Sequence, residues 1–162
     1  MNLKKIVIFG AGRAGRDVLQ LIEQINKYNL IWDVIGFVDN NSSLQGLTIS
    51  GVKVFSSFEA MNEKSNNLFA ITANQIPKIR KKIINDEIKA NSLQLASLVH
   101  PSIDVPDDCK ISEGCVLFPG VFIAKNVSLG SSVMVNYNTL LGIDLNVGDF
   151  SFIGPSVTIT GS

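Results

Sequence analysis

Histidine and cysteine are almost missing from this chain. Its 162 residues include one histidine, His100, and two cysteines, Cys109 and Cys115. The cysteines form no CxxC and stand near no other ligand type, so buried free thiols are expected rather than a disulfide or a metal site. Net charge is absent too. Fourteen basic and fourteen acidic residues cancel, which excludes a broad electrostatic pull on nucleic acid or on an anionic membrane. No apolar run approaches the roughly 18 residues of a membrane helix. The opening MNLKKIVIFGAGRAG is broken by Gly10 and Gly12 and followed by arginines. It reads as a buried strand rather than a signal peptide, and a cytoplasmic protein is expected. The one basic cluster, Lys78, Arg80, Lys81 and Lys82, lies among Ile76, Ile79 and Ile83 at helical spacing. It reads as the solvated face of an amphipathic helix.

What is present falls into two halves of different period. Up to about residue 99, short apolar runs alternate with helical patterns. Strands are expected at Ile6–Phe9, Ile35–Val38, Val52–Phe55, Leu68–Thr72 and Leu95–Val99. Between them lie a helix burying Val18, Leu21, Ile22 and Ile25, a short one at Ser57–Asn62, and another at Ile76–Ile88. Strands separated by helices imply a parallel sheet.

From residue 100 onward the helical period vanishes and a period of six replaces it. Val105, Ile111, Leu117, Ile123, Leu129, Val135, Leu141, Val147, Ile153 and Ile159 are all aliphatic. Four residues after each stands a small or apolar residue, from Cys109 and Cys115 through Thr139 to Val157. The position just after the aliphatic is often small, as at Ser112, Ala124, Gly130 and Gly142, which would let the backbone turn at a corner. This is the signature of a hexapeptide-repeat β-helix, whose stacked coils bury one another's apolar residues. The expected domains are therefore an α/β unit over 1–99 and a β-helix over 100–162.

Gly10-Ala11-Gly12-Arg13-Ala14-Gly15 is a GxGxxG that follows a strand and opens a helix. Glycines let backbone approach a phosphate, and the helix N-terminus offers free N–H groups and a positive dipole end. Asp39, ending the second strand, is placed to accept hydrogen bonds from a sugar or base. The alternative is a tight strand-to-helix turn with no ligand. Only one mononucleotide-binding half fits before residue 99, so a sugar nucleotide suits the space better than a dinucleotide.

The markers GAGRAG (10–15), GFVDN (36–40), LVHPS (98–102) and VNYNTLLGIDLNVGDFSFIGPSV (135–157) together resemble one family along essentially the whole chain. That family is the bacterial sugar acetyltransferases, including sialic-acid O-acetyltransferases and N-acetyltransferases of UDP- and GDP-linked amino sugars. The resemblance implies a left-handed parallel β-helix, a homotrimer with sites between subunits, acetyl-CoA as donor, and a UDP-, GDP- or CMP-linked sugar held by the α/β unit. It implies no metal. It also places a general-base histidine where this chain has Ile143, within a frame that keeps Asn136, Gly142 and Asp144. Phe152 stands where a second histidine is frequent, and Arg13-Ala14 where glycine and histidine are frequent. Relatives continue past Ser162 into coils that complete the donor groove.

Isoleucine cannot take a proton from an acceptor amine or hydroxyl. Asp144 and Asn136 are the remaining polar candidates there, and a solvated carboxylate is a weak base at neutral pH. His100, in the linker, reads as structural rather than as a relocated base. Three readings stay open: a transferase with reduced or no activity, a non-catalytic nucleotide-sugar-binding or assembly module, and a shortened form of a longer enzyme. Phe118, Phe122, Met134 and Leu140, at outward positions of the repeat, suggest burial against neighbouring subunits. The repeat would leave an open strand edge at Ser162.

Overall fold

The computed structural model describes residues 3–63 and 67–161. The chain divides into two compact units, Met1–Ala96 and Ser97–Ser162.

The first unit is a six-stranded sheet in the order β3-β4-β2-β1-β5-β6. Its strands are β1 (Lys4–Phe9), β2 (Trp32–Val38), β3 (Thr48–Ile49), β4 (Val52–Phe55), β5 (Leu68–Thr72) and β6 (Gln94–Leu95). All neighbours run parallel except β3, which turns back against β4. Strand β3 lies in the stretch 42–51, which looks like loop in the sequence because a two-residue strand carries no readable period. Helix α1 (Arg13–Tyr28) buries Val18, Leu19, Leu21, Ile22 and Ile25, a single stripe at helical spacing. Ile6, Val7 and Ile8 of β1 are wholly buried, as expected of a central parallel strand.

The helix after β5 corrects the sequence reading. Helix α2 (Pro77–Ile83) runs on into a π-helical stretch, Ile84–Lys89. Its buried positions are Arg80, Ile84 and Ile88, while Ile76 and Ile79 are exposed. Of the apolar set chosen from spacing, Ile76 and Ile79 thus face outward and Ile83 is half-buried. A period of 3.6 taken from Ile76 fails because the helix begins only at Pro77, with Ile76 as its extended N-cap. Of the cluster expected to be solvated, Arg80 is in fact 1% exposed.

The second unit is a parallel β-helix with three faces, ordered β10-β13-β16, β14-β11-β8 and β15-β12-β9-β7. Each strand has two residues, from β7 (Leu98–Val99), β8 (Lys110–Ile111) and β9 (Val116–Leu117) through β10 (Phe122–Ile123), β11 (Ser128–Leu129) and β12 (Met134–Val135). The set continues with β13 (Leu140–Leu141), β14 (Asn146–Val147), β15 (Phe152–Ile153) and β16 (Thr158–Ile159). All ten periodic aliphatics pack in one interior cluster. The run Leu95–Val99, read as one strand, is divided. Leu95 pairs with Ala70 of the first sheet, whereas Leu98 and Val99 pair with Val116 and Leu117 of the β-helix. The seam therefore falls before Ser97 and not after residue 99.

The corner is built differently from the expectation. The left-handed residue of each hexapeptide from Ile111 to Ile153 comes three places after the aliphatic: Gly114, Gly120, Asn126, Ser132, Asn138, Asp144, Phe150 and Ser156 all have φ between 55° and 79°. The small residue directly after the aliphatic serves stacking instead. A Cβ on Gly130 would lie 2.7 Å from the Asp149 nitrogen, and one on Gly142 would lie 2.7 Å from the Ile159 oxygen. The coil spacing of about 4.8 Å leaves no room for it. Cys109, Cys115 and Thr139 each donate to a backbone carbonyl fifteen residues on, at 3.2, 3.2 and 2.8 Å. Neither cysteine is in a disulfide; Cys115 is buried, Cys109 only partly. The strand edge expected at Ser162 lies outside the described residues.

Candidate functional site

The three glycines of the loop at 10–15 have separate reasons to be glycine. Gly10 has φ of +107°, a conformation L side chains avoid. Gly15 packs against the strand: its Cβ would overlap the Gly10 carbonyl oxygen and approach Phe37 Cε1 at 3.4 Å. Gly12 has neither constraint. Its φ is −71° and a Cβ there would meet no atom within 4 Å. It is also the N-cap of α1, with no side-chain cap and no acidic residue in the first turn. The first-turn N–H groups, which no helical carbonyl can satisfy, lack a capping side chain.

Strand β1 lies between β2 and β5, so the chain order reverses there. In open parallel sheets, ligands sit in the crevice beyond the carboxyl ends at such a point. Two cavities open there, of about 330 and about 490 Å³, and both are lined by Gly10, Asp39 and Asn74. The smaller adds Gly12, Arg13, Gly15 and Ile76; the larger adds Asn40, Ser57, Ile79, Lys82 and Asp86. All five nucleotide-site candidates thus line one crevice. Ile76, Ile79 and Lys82 were missed as site residues, because their spacing pointed to a helix face rather than to a wall.

Asp39 is partly committed already. Its Oδ2 accepts from the Ala11 N–H at 2.7 Å and its Oδ1 from the Asn41 N–H at 2.8 Å. It pins the glycine loop to the end of β2, and each oxygen keeps a lone pair for a ligand hydroxyl or base N–H.

In the β-helix, Ile143 is 51% exposed and lines a cavity of about 480 Å³ with Ser102, Asp104, Phe122 and Lys125. Asp144 sits at a left-handed corner with φ of 60°. Its Oδ1 accepts from Asn126 Nδ2 at 2.7 Å, one rung down the stack, and its N–H donates to the Lys125 carbonyl. That is a turn-stabilising role suited to a short polar side chain. Asn136 is buried, and its Oδ1 accepts from the Tyr137 N–H at 2.9 Å. Neither Asn136 nor Asp144 lines the Ile143 cavity. Among the described residues no group of three or more histidine, cysteine or acidic side chains could hold a metal ion. None of their helices is long and apolar enough to cross a membrane.

His100 is buried in the first turn of the β-helix. Its Nδ1 accepts from the Ser102 N–H at 3.1 Å and lies 2.7 Å from Ser102 Oγ. Burial holds its pKa below the ordinary imidazole value of 6.5. The folded state therefore prefers neutral imidazole, and the unfolded chain binds more protons between the lowered value and 6.5. This contribution to stability is complete above pH 6.5 and is lost as pH falls through the folded value. His100→Asn, whose amide oxygen can still accept from Ser102, should lose less melting temperature than the parent between about pH 7.5 and about pH 5.5. Equal losses would refute the assignment.

Comparison with known proteins agrees with this geometry. Residues 5–86 match the family model of the PglD N-terminal domain. The chain belongs to the bacterial sugar acetyltransferase family. It is 26% identical over 155 residues to the GDP-perosamine N-acetyltransferase of Escherichia coli O157:H7, covering 95% of this chain and 69% of that one. WeeI from Acinetobacter baumannii AYE superimposes with a TM-score of 0.85 at 21% identity, over 98% of this chain and 73% of that one. A histidine-to-asparagine variant of perosamine N-acetyltransferase from Caulobacter crescentus, in complex with CoA and GDP-perosamine, gives 0.83 at 20% identity. That match spans 99% of this chain and 73% of the variant.

Proposed function

We propose that the first unit holds the nucleotide of a UDP-, GDP- or CMP-linked sugar in the crevice between Gly10–Gly15 and Asn74. The β-helix is then that of an acetyl-CoA-dependent sugar O- or N-acetyltransferase of surface-polysaccharide biosynthesis, with little or no transfer in this form. Gly12 carries the reading: no packing or backbone constraint explains a glycine there, whereas a phosphate laid against the helix N-terminus does. Related proteins crystallised with CoA and GDP-perosamine support the ligand classes. Gly12, Arg13 and Gly15 would face the phosphates and Asp39 the nucleoside. Calorimetric titration with UDP-, GDP- and CMP-sugars should give binding by at least one, and Gly12→Val should abolish it. No binding by any of them at about 1 mM would reduce the loop to a bare turn.

A second reading, a non-catalytic nucleotide-sugar-binding or assembly module, draws on the exposed isoleucine where a base is expected. Nucleotide binding without acetyl-CoA binding would favour it. Either reading includes self-association as a trimer. Of the four outward apolar residues, Phe118 and Met134 are already buried within the chain, so the exposed pair is Phe122 and Leu140. These two are register partners on one face of the prism, and exposed apolar stripes of this kind are commonly covered by a second copy. A stable monomer in sedimentation at about 50 µM would count against it.

A further inference from the structure

Helix α2 and the π-helical stretch that continues it carry two stripes of different chemistry. Arg80, Ile84 and Ile88, four residues apart, are buried. Ile79, Lys82, Ile83, Asp86 and Glu87 stand at i, i+3, i+4, i+7 and i+8, a second stripe along the same rod. All five line the larger cavity of the crevice, about 490 Å³ in volume. That cavity shares Gly10, Asp39 and Asn74 with the smaller one, which holds Gly12 and Arg13. The two are compartments of one crevice. The glycine loop accounts for the smaller compartment and leaves the larger without an occupant.

The lining of the larger compartment is apolar in one part and charged in another. Ile79 is a large aliphatic at 41% exposure that the core does not claim, and Phe9, Val38 and Ile83 extend the apolar part. Lys82, Asp86 and Glu87 supply the charged part. Among the described residues none of these three side chains makes a hydrogen bond or an ion pair. A planar ring with a hydrogen-bonding edge suits such a lining, its face on the aliphatics and its edge on the polar groups. An ionised carboxylate accepts and never donates, so the edge it matches carries adjacent N–H groups. Guanine has two side by side, N1–H and the N2 amine. Uracil has one N–H between two carbonyls, and cytosine and adenine have an amine beside an acceptor nitrogen. The Lys82 ammonium can donate to guanine O6. We propose that the larger compartment is the nucleobase subsite, and that Asp86, Glu87 and Lys82 make it select guanine. This rests on the nucleotide-binding reading above and names the base which that reading leaves open.

Calorimetric affinities of the full chain for GDP, IDP, UDP, CDP and ADP at fixed salt test the assignment. GDP should bind at least about tenfold tighter than UDP, CDP or ADP. IDP differs from GDP only in lacking the N2 amine, and it should bind about fivefold or more weakly than GDP. That comparison needs no variant. In the double variant Asp86→Asn, Glu87→Gln, the advantage of GDP over UDP should shrink by about tenfold. The ratio is the quantity to read, because removing two negative charges strengthens every diphosphate alike. Circular dichroism confirms that the variant is folded. If UDP, CDP or ADP binds as tightly as GDP, if IDP equals GDP, or if the double variant keeps the full GDP advantage, the guanine assignment falls while the nucleotide site stands. If none of the five binds, the nucleotide reading itself falls and takes this inference with it.

Discussion

Acetyl transfer from acetyl-CoA to a nucleotide-linked amino sugar is expected to be at least about 10²-fold slower with this chain than with a histidine-bearing relative assayed beside it. A positioned general base contributes about 10²–10⁴-fold, and isoleucine contributes none of it. Ile143 is not there for the core: it is half exposed, outside the prism, against Phe122 and Lys125. The neighbouring carboxylate does not replace a base, because Asp144 receives the Asn126 amide at a coil corner and lies outside the cavity lining. Steady-state assays with UDP-, GDP- and CMP-linked amino sugars decide the matter. Turnover by the parent chain within tenfold of the relative's would contradict this account and direct attention to Asp144 or His100.

Gly12→Val and Gly15→Val, three residues apart in one motif, should differ widely in a thermal melt. A side chain at Gly15 must displace the Gly10 carbonyl. Overpacking of backbone against helix should cost about 3 kcal/mol or more and lower the melting temperature by many degrees. At Gly12 an added Cβ meets no atom within 4 Å. Only the N-cap preference is lost, about 0.5–1 kcal/mol, while nucleotide binding disappears. If Gly12→Val melts as early as Gly15→Val, the glycine has a structural reason that its surroundings do not reveal.

The β-helix was legible residue by residue because every coil repeats one packing problem. All ten aliphatics picked by counting in sixes reach the interior. The same count did not reveal which residue bends the chain: Asn126, Asn138 and Asp144 look like ordinary surface polars until their φ values are known. In the first unit, β4 and β5 were legible to the residue. The orientation of α2 was not, since Ile76, which looks like the first member of a helical stripe, is the extended N-cap and stands outside the helix. Arg80 was hidden because it sits among three lysines in a stretch that reads as solvated. Leu95–Val99 misled because one apolar run serves two cores. The crevice residues Gly10, Gly12, Arg13, Gly15 and Asp39 were found from motif context, whereas Ile76, Ile79 and Lys82 needed the fold.

The stacking interval of the β-helix also sets how this chain can change length. Phe122 pairs with Leu140 and Leu140 with Thr158, each step being eighteen residues or one full coil. A six-residue insertion or deletion would leave every aliphatic inward and every corner residue in place, so the interior would not register it. It would, however, turn everything downstream by one face. Made between Lys125 and Leu140, it would carry Ile143 away from the cavity it shares with Phe122. Folding tolerates indels in sixes, then, while the outer surface tolerates them only in eighteens. Variants of this chain that differ by a single hexapeptide should fold with nearly unchanged melting temperature and yet present a rearranged set of faces.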